Sequence, residues 1–349
     1  MATMSDVAKA AGVSRATASY ALRGDPRIAP ETAERVRRAA SDLHYTTNLS
    51  ARSLRSGRSG VIGVAIFELD KPYPSEMSAA VSREAARHDL ETIVQQTSNS
   101  KEREISILRK VTSQLCDATI FSPGNISPEE ITALYGGKPL ILLDDISDEP
   151  LFDCVFTPCE DGAAAAIRHL IDIGCEHIGV LGVDYNALVD DRQSTTVSGR
   201  RLAGALRAFD EAGIDVDERN FIPVDHWGTP GAREAARELA DTAGGLPFDG
   251  MFCMTDSLAL GAIRGFADAG VHVPDDVAIV GFDGINEGEY SVPSLTTVST
   301  DLNDLAAKAV GLLLDRLDED ARNLPQEERA GVRRLTADYR LIQRESTRR

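Results

Sequence analysis

Short apolar runs separated by helix-length segments recur over most of this 349-residue chain. They form two sets, at residues 61–67, 91–97, 117–123 and 139–145, and at residues 177–183, 221–225, 251–255 and 277–283. Continuous apolar strands that alternate with helices indicate parallel sheets covered by helices on both faces. Two such sets predict two α/β lobes, followed by a helix over 301–318 and a last strand within 337–347.

The first 58 residues differ from the rest in charge. They hold ten Lys and Arg against five Asp and Glu, a net charge of +5, whereas the remainder holds 27 basic and 50 acidic residues, a net charge of −23. Such an asymmetry favours a polyanion as the partner of the basic segment. The acidic body would be repelled by that partner, and its charge serves solubility.

The basic segment has the pattern of three short helices. Residues 3–12 predict the first, residues 15–22 predict a second that Ser14 caps, and a third begins near Pro30. The apolar stripe of the third helix comprises Ala33, Val36, Ala40 and Leu43. Two helices joined by a short turn match a helix-turn-helix. The same pattern occurs in helical bundles that bind no nucleic acid, but the local positive charge favours DNA.

The second helix divides into two faces at 100° per residue. One arc of about 140° on this helical geometry holds Arg15, Ala16, Ser19, Tyr20 and Arg23. The opposite face holds Thr17, Ala18, Ala21 and Leu22. The first face is therefore predicted to present hydrogen-bonding groups, and the second to pack.

Several classes of function find no support in the sequence. No apolar run approaches 18 residues, the first 20 residues contain no long apolar stretch, and the five cysteines form no CxxC pair. We therefore expect a cytoplasmic protein with reduced thiols, no membrane span, no secretory signal and no metal site.

Enzyme motifs are also missing. The chain has no GxGxxG after a strand, no GxxxxGK[ST], no GxSxG and no HExxH, and its six histidines show no ligand spacing. The pairs Asp144–Asp145 and Asp190–Asp191 are interpreted as solvated loop charges. We therefore predict neither catalysis nor a cofactor.

Segments from one end of the chain to the other resemble the lac/gal repressor family. They are SDVAKAAGVSRATASYALRG, YTTNLSARSLRSGRSGVIGV, HIGVLG, RRLAGALRAF, TDSLALGAIR and VAIVGFD, in that order. The resemblance implies an all-α helix-turn-helix headpiece joined to an α/β effector domain. That domain has two lobes with parallel, doubly wound sheets, like type I periplasmic binding proteins, and it dimerises.

The resemblance also implies domain boundaries. They are a headpiece at 1–46, a hinge helix and linker at 47–60, and an effector-binding and dimerisation domain at 61–349. Lobe 1 would comprise about 61–157 plus 297–320, and lobe 2 about 161–292 plus 330–347. The chain would make three crossings between the lobes, including one near Thr157–Asp161 and one near Val292–Thr297.

The family places DNA contacts at defined positions of the headpiece and hinge. The resemblance implies base contacts by Arg15, Ala16 and Tyr20, phosphate contacts by Thr3, Ser14, Thr17 and Arg27, and further DNA-binding positions at Arg23, Asn48, Ala51 and Leu54. Tyr20 departs from the arginine of the best-known member, so the operator preference of that member does not transfer. Ala29 stands where a serine often caps the third helix, which predicts a weaker cap.

Residues 48–54 match the family's hinge helix. Seven residues are too few for a stable isolated helix, which needs roughly 12–15. The segment is expected to fold when two copies meet in a minor groove, with Leu54 as a wedge between base pairs. The alternative is a flexible linker rich in Ser, Arg and Gly.

The family's effector contacts fall on Tyr73, Arg201, Trp227, Thr255 and Asp283. A guanidinium at Arg201 suits paired hydroxyls or a carboxylate, and Asp283 would accept hydrogen bonds from ligand hydroxyls. Each has a structural alternative: Trp227 packs the lobe, Asp283 caps a turn, and Arg201 pairs with an acid. Pro158 and Cys159 replace a frequent Val-Asp-Asn signature, and the segment 183–199 is longer than usual.

These features predict a cytoplasmic, homodimeric transcriptional repressor. It would bind double-stranded DNA at a near-palindromic operator. A small molecule, expected to be a sugar, would control it as an inducer or as a corepressor. Three alternatives stay open. They are a family member with a non-sugar corepressor, one with a protein partner, and a ligand-binding protein with no role in gene regulation.

Overall fold

The computed structural model describes residues 2–22, 24–45, 58–145, 147, 150–188 and 196–348, without the side chains of residues 111–113, 226 and 326. The chain divides into two compact units, Met1–Ser59 and Gly60–Arg349. The first unit contains helices only in its described part, and the second contains two six-stranded sheets.

The N-terminal unit has helices α1 (Met4–Ala11), α2 (Arg15–Leu22) and α3 (Pro30–Asp42). Thr3 and Asp6 form a capping box, in which the Asp6 carboxylate accepts the Thr3 N–H at 2.8 Å and the Thr3 hydroxyl accepts the Asp6 N–H at 3.3 Å. Gly12 ends α1 with φ 66°, a left-handed conformation that glycine adopts without a steric penalty. The helix boundaries therefore follow from local sequence signals.

Small side chains form the core of this unit. Its buried residues are Val7, Ala8, Ala11, Ala18, Ala21, Ala33, Val36, Ala39 and Ala40. Leu43, predicted as part of the α3 stripe, is 37% exposed, whereas Ala39 is buried. The prediction for Leu43 was wrong because α3 ends at Asp42, so Leu43 caps the helix and leaves its apolar face. Ala29 makes no side-chain cap bond, as its residue type predicts.

The second unit begins with a regular strand–helix alternation. Its first elements are β1 (Val61–Ile66), α4 (Pro72–Arg87), β2 (Glu91–Gln96), α5 (Lys101–Ser106), β3 (Ala118–Phe121), α6 (Pro128–Leu134), β4 (Leu140–Leu143) and β5 (Asp153–Phe156). Helix α5 continues as a π-helical stretch over Ile107–Thr112 and a last α turn over Ser113–Leu115.

The alternation continues to the C-terminus. The later elements are α7 (Cys159–Asp172), β6 (Ile178–Leu181), α8 (Val197–Ala212), β7 (Phe221–Ile222), α9 (Thr229–Ala240), β8 (Gly250–Cys253), α10 (Asp256–Asp268), β9 (Ala278–Asp283), α11 (Glu287–Tyr290), β10 (Thr296–Thr300), α12 (Leu302–Ala321), β11 (Arg334–Thr336) and β12 (Tyr339–Ile342). Short 3₁₀ turns lie at Tyr185–Leu188, Glu218–Asn220, Asp225–Trp227, Gln326–Glu328 and Glu345–Thr347.

The strands form one sheet in each lobe. The first sheet has the order β11-β5-β4-β3-β1-β2, and all its strands are parallel. The second has the order β12-β10-β9-β8-β6-β7, and only the β10–β12 pair is antiparallel. This is the two-lobed, doubly wound architecture that the strand pattern predicts.

The described strands correct the predicted lobe boundaries. Strand β10 pairs with β9 in the second sheet. Residues 297–300 therefore belong to lobe 2 and not, as predicted, to the C-terminal part of lobe 1. Strand β11 pairs with β5, so it lies in lobe 1 and not in lobe 2. The chain therefore crosses from lobe 2 back to lobe 1 after β10. The prediction placed this crossing before β10, at Val292–Thr297. Three of the five residues of β10 are threonine, and the apolar pattern did not separate it from the preceding turn.

Helix packing closes both lobes. In lobe 1, α12 buries Leu305, Ala309 and Leu313 in the same cluster as Met77 and Val81 of α4. In lobe 2, α7 packs on α8 so closely that a Cβ at Gly204 would overlap the carbonyl of Glu160. The carboxyl ends of the parallel strands carry the loops where ligands bind in open α/β sheets.

Candidate functional site

One face of α2 is exposed. Arg15 and Ala16 lie on that face, and Tyr20 is 39% exposed. Ala18 and Ala21 on the opposite face are buried in the core of the unit. The structure therefore brings the three predicted base-contacting residues to one surface.

Hydroxyl side chains mark the starts of α1 and α2. The Ser14 hydroxyl accepts the N–H of Thr17 at 3.1 Å, and the two hydroxyl oxygens lie 2.9 Å apart. Thr3 is exposed at the start of α1, where its hydroxyl donates to the Asp6 carboxylate at 2.7 Å. These groups lie at helix N-termini, which suit backbone phosphates.

Arg27 does not stand alone on the surface. Its Nε and Nη2 donate to the two carboxylate oxygens of Asp25 at 2.9 and 2.7 Å. The guanidinium also lies over the Tyr20 ring, 5.2 Å from its centroid. Arg27 is thus held beside the exposed face of α2, and a phosphate contact would share a guanidinium already bound to Asp25.

Four predicted DNA-binding residues lie outside the described residues. They are Arg23, Asn48, Ala51 and Leu54. The hinge helix predicted over 48–54 lies there as well. Their predicted roles therefore remain predictions.

A buried ion pair lies at the carboxyl end of the second sheet. Arg201 of α8 donates through Nη2 to the Asp283 carboxylate at 2.8 Å, and through Nη1 to the carbonyl of Met254. The side chains of Arg201 and Asp283 are 3% and 7% exposed. The Arg201 guanidinium also lies 3.7 Å from the centroid of the Phe282 ring. Arg201 therefore pairs with an acid, as the structural alternative predicts. That acid is Asp283, the other charged residue among the predicted effector contacts.

A second buried carboxylate, Asp256, lies behind this pair. It accepts the N–H groups of Gly284 and Ile285 at 2.8 and 2.9 Å, and the Thr297 hydroxyl at 2.6 Å. Burial, followed by the charge of Asp283, raises the pKa of Asp256 to about 7. Burial also raises the pKa of Asp283 to about 6, although Arg201 opposes this shift. The Arg201 guanidinium therefore pairs with Asp283 alone, while Asp256 is held by backbone N–H groups and the Thr297 hydroxyl.

We expect Asp256→Asn to change how stability depends on pH. An acid with a raised folded-state pKa stabilises the fold fully below its unfolded pKa near 4, and this contribution is lost as the pH rises through about 7. The free energy of unfolding of the wild type, relative to the variant, should fall by on the order of 3–4 kcal/mol between pH 4.5 and 7.5. Urea titrations at both pH values measure it, with exposed Asp318→Asn as the control. A pH-independent difference would contradict the assignment.

The first lobe contributes Tyr73 and Asp144 to the same region. The Asp144 carboxylate accepts the N–H and hydroxyl of Thr157 at 2.7 and 2.8 Å. Burial, followed by the charges of Asp144 and Asp283, raises the pKa of Tyr73 well above its ordinary value. Burial likewise raises the pKa of Asp144, and its hydrogen bonds from Thr157, followed by the charges of Arg200 and Arg201, oppose this shift. Asp144 of lobe 1 therefore lies in the same electrostatic neighbourhood as Tyr73, Arg201 and Asp283.

Trp227 and Thr255 occupy the lobe 2 side. The Trp227 indole N–H donates to the carbonyl of Gly182 at 2.6 Å, and its ring centroid lies 5.7 Å from the Arg201 guanidinium carbon. Trp227 is partly buried against the lobe 2 core, so it also packs the lobe. The Thr255 hydroxyl accepts the Leu258 N–H at 3.2 Å as the N-cap of α10. Its hydroxyl therefore already has a structural partner.

Comparisons with known proteins identify both units. Residues 3–48 match the family described as bacterial regulatory proteins, lacI family, and residues 167–347 match a periplasmic binding protein-like domain. A solved transcriptional regulator of the LacI family from Sanguibacter keddieii DSM 10542 is 36% identical. The match covers 83% of this chain and 99% of that one, with a TM-score of 0.72. The chain belongs to the LacI family.

Curated relatives of this LacI-family protein are transcriptional repressors. The HTH-type transcriptional repressor PurR of Pasteurella multocida (strain Pm70) is 29% identical over 95% of both chains. The ribose operon repressor of Halalkalibacterium halodurans is 30% identical over 91% of both chains. The headpiece resemblance and the two-lobed fold predicted from the sequence are therefore confirmed.

Sequence reasoning misjudged one acidic pair of this LacI-family protein. Asp145 is 2% exposed and Asp144 is half-buried in the site, so the interpretation of both as solvated loop charges was wrong. The sequence did contain a signal for Asp144. It directly follows the apolar strand β4, just as Asp283 stands at the end of the apolar strand β9. Asp190 and Asp191 lie outside the described residues.

Arg200, which the sequence analysis passed over, joins the two lobes. Its Nη2 donates to the carbonyl of Asp145 at 2.7 Å, and its guanidinium lies 4.5 Å from the Phe156 ring centroid. A second bridge runs from the Asn286 N–H to the Glu76 carboxylate at 3.0 Å. Residues of lobe 2 therefore contact lobe 1 at two points.

The described part of the chain has neither a metal-binding cluster nor a membrane-spanning helix. Within it, no cluster of three or more His, Cys, Asp or Glu side chains is placed to hold a metal ion. None of its helices is long and apolar enough to cross a membrane.

Proposed function

We propose that this LacI-family protein is a cytoplasmic, homodimeric repressor of a near-palindromic DNA operator, controlled by a small carbohydrate bound between its lobes. The observation that carries the proposal is that one chain combines the exposed face of α2 with a buried, charged site between two lobes. The names of the curated relatives, both repressors, support the same direction of regulation. The protein acts by binding and not by catalysis.

Arg15 is proposed to read one base pair. Its side chain is exposed on α2 beside Ala16. An arginine in the major groove can contact guanine through two hydrogen bonds, worth about 1–3 kcal/mol of discrimination.

We expect Arg15→Ala to relax preference at one position of each half-site while other positions keep theirs. Competition assays with single-base operator variants measure this effect. A uniform loss of affinity across all sequences would instead identify Arg15 as a phosphate contact.

Leu54 is proposed to insert between base pairs at the centre of the operator. Because this contact requires both hinge segments and a kinked duplex, it serves specific binding alone. We expect Leu54→Ala to weaken operator binding by about tenfold or more, the order of a lost contact worth 1–3 kcal/mol. Non-specific binding to a scrambled duplex, measured in parallel, should change little. Equal losses on both duplexes would contradict the wedge role.

Exposed apolar side chains support self-association through lobe 2. Tyr290, the last residue of α11, and Val292, two residues further on, are 80% and 91% exposed. Exposed apolar residues that cluster often mark protein interfaces. A dimer with two-fold symmetry would present two copies of α2 to two half-sites.

The chemistry of the inter-lobe site supports a carbohydrate. It combines the Asp283 carboxylate, the Tyr73 hydroxyl and the partly exposed Trp227 ring. Such a mixture of convergent polar groups and an aromatic face is typical of small-molecule sites. One relative is named for a ribose operon, which also favours a sugar-linked regulon.

The contacts between the lobes offer a route from the site to the DNA. A ligand that engages Asp283 of lobe 2 and Tyr73 of lobe 1 would change the Arg200 and Asn286 bridges. A differential affinity of about 5.5 kcal/mol suffices to shift a two-state population from 1:99 to 99:1.

A selection of bound sequences from a random duplex pool tests the proposal. It is run with the full-length protein, alone and with each member of a saccharide panel. We expect an inverted repeat to be enriched, and one saccharide to abolish or sharpen that enrichment. A pool without any inverted repeat would contradict the proposal.

A further inference from the structure

A cavity of about 320 Å³ lies on lobe 1, away from the inter-lobe site. Its lining includes residues that lead into three neighbouring strands of the first sheet: Lys138 before β4, Leu151 before β5 and Val332 before β11. Because these strands are parallel, their amino ends share one edge of the sheet, whereas Asp144 follows β4 at the opposite edge. The cavity is therefore separate from the site that Asp144 adjoins.

An ion pair holds one wall of the cavity in place. The fully buried carboxylate of Asp153 accepts hydrogen bonds from Nη2 and Nε of Arg316 at 2.8 and 3.0 Å. Arg316 also donates to the carbonyls of Ala330 and Gly331, at 2.7 and 2.9 Å. These bonds fix the segment that leads to Val332, so the cavity is formed before any ligand enters, as is usual for small-molecule sites.

Apolar and aromatic side chains line the cavity and reach solvent. Leu151 and Val332 are 50% and 45% exposed. Tyr135 and Phe152, also in the lining, form an edge-to-face pair with ring centroids 5.1 Å apart and ring planes at 75°. Exposed apolar side chains that cluster often mark a binding site, and aromatic rings favour a further ring in the same edge-to-face geometry. The lining therefore suits a ligand with an aromatic ring.

The charged side chains of the lining leave one cation without a partner acid. They are Lys138, Arg316, Arg329, Asp153 and Asp320. Arg316 pairs with Asp153, and Arg329 Nη1 lies 2.7 Å from the Asp320 carboxylate. Lys138 has no carboxylate partner among the described residues, and its ammonium group donates to the carbonyl of Cys116 at 2.6 Å. Because an ammonium group has three donors, Lys138 can also bind a ligand carboxylate.

We propose that this cavity binds the anion of a small aromatic carboxylic acid, with its ring against Tyr135 and Phe152 and its carboxylate on the Lys138 ammonium group. One unpaired cation in the lining matches one carboxylate. A volume near the lower end of the range for small-molecule sites, about 300–1,000 Å³, suits a single ring with a short side chain. The site gives lobe 1 a second small-molecule ligand, and it does not depend on what binds between the lobes.

Matched acids and amides test the proposal by titration calorimetry with the full-length protein. The pairs are benzoate with benzamide, phenylacetate with phenylacetamide, and cinnamate with cinnamamide. We expect at least one acid to bind about tenfold or more tightly than its amide, because the amide cannot form a charge-assisted hydrogen bond with the ammonium group as an ionised acceptor. The proposal is overturned if none of the three acids binds, or if every acid that binds does so no more tightly than its amide.

Substitutions locate the bound acid. Lys138→Met should weaken its binding by about tenfold, whereas Lys138→Arg, which keeps the positive charge, should retain most of the affinity. Lys101→Met removes an exposed lysine of the same lobe that pairs with Glu130, and as the control it should leave the affinity unchanged. Circular dichroism checks that each variant is folded. An acid that binds Lys138→Met as tightly as the wild type lies elsewhere, which overturns the proposal. Saccharide binding between the lobes should be the same in Lys138→Met, so the two proposals can fail separately.

Discussion

Raising the salt concentration from 50 to 200 mM is expected to weaken operator binding by on the order of 10³-fold. Each phosphate that a protein neutralises releases counterions, and about six such contacts give a loss of this size. The positive charge responsible is concentrated in the first 58 residues, with a net charge of +5. The body, at −23, is repelled by the same duplex. Lowering the salt concentration should therefore strengthen binding, and the headpiece should be the only part of the protein responsible for the gain.

Fluorescence anisotropy with a labelled duplex measures this dependence over five salt concentrations. A scrambled duplex of equal length is the control, and it should show a similar slope at much lower affinity, because phosphate contacts carry no sequence information. A change in operator affinity of less than about tenfold over this range would contradict a phosphate-dominated interface.

Arg201→Leu is expected to lower the free energy of unfolding of the Gly60–Arg349 unit by about 3–5 kcal/mol at pH 8. The substitution leaves Asp283 buried without its cation, beside Asp256 and Asp144. An uncompensated buried charge is costly because the protein cannot solvate it as water does. Loss of the effector response should accompany the loss of stability.

The pH dependence of this defect has a definite sign. Without Arg201, the folded-state pKa of Asp283 rises further above about 6, so the carboxyl group binds a proton near pH 5 and the defect shrinks. Urea unfolding at pH 5 and pH 8, followed by circular dichroism, measures both values. Arg219→Leu, which breaks an exposed ion pair with Asp217, is the matched control and should leave stability unchanged. A defect of equal size at both pH values would contradict the buried-charge explanation.

Local signals made much of this fold predictable. The capping residues Thr3 and Gly12 fix the ends of α1, because caps act within one helical turn. The apolar runs of β1 and β9 identify buried parallel strands, because both faces of such a strand need apolar side chains. Strand β10 escaped notice because it is buried but rich in threonine, and pairing decides its place.

The site was predictable only in part. The positions of Arg201 and Asp283 were identified, but their mutual pairing depends on how α8 approaches the end of β9. Asp144 and Arg200 were missed for the same reason, since both act across the two lobes. Sequence patterns report local structure, and charge balance in a cleft is set by tertiary packing.

The central claim is that the occupant of the inter-lobe site governs DNA binding by the N-terminal unit. The most direct test titrates a saccharide that alters Trp227 fluorescence into the full-length protein bound to its selected inverted repeat. The account predicts that operator affinity changes at least tenfold and that the midpoint coincides with the fluorescence midpoint. An operator affinity that stays constant while the site fills would contradict it.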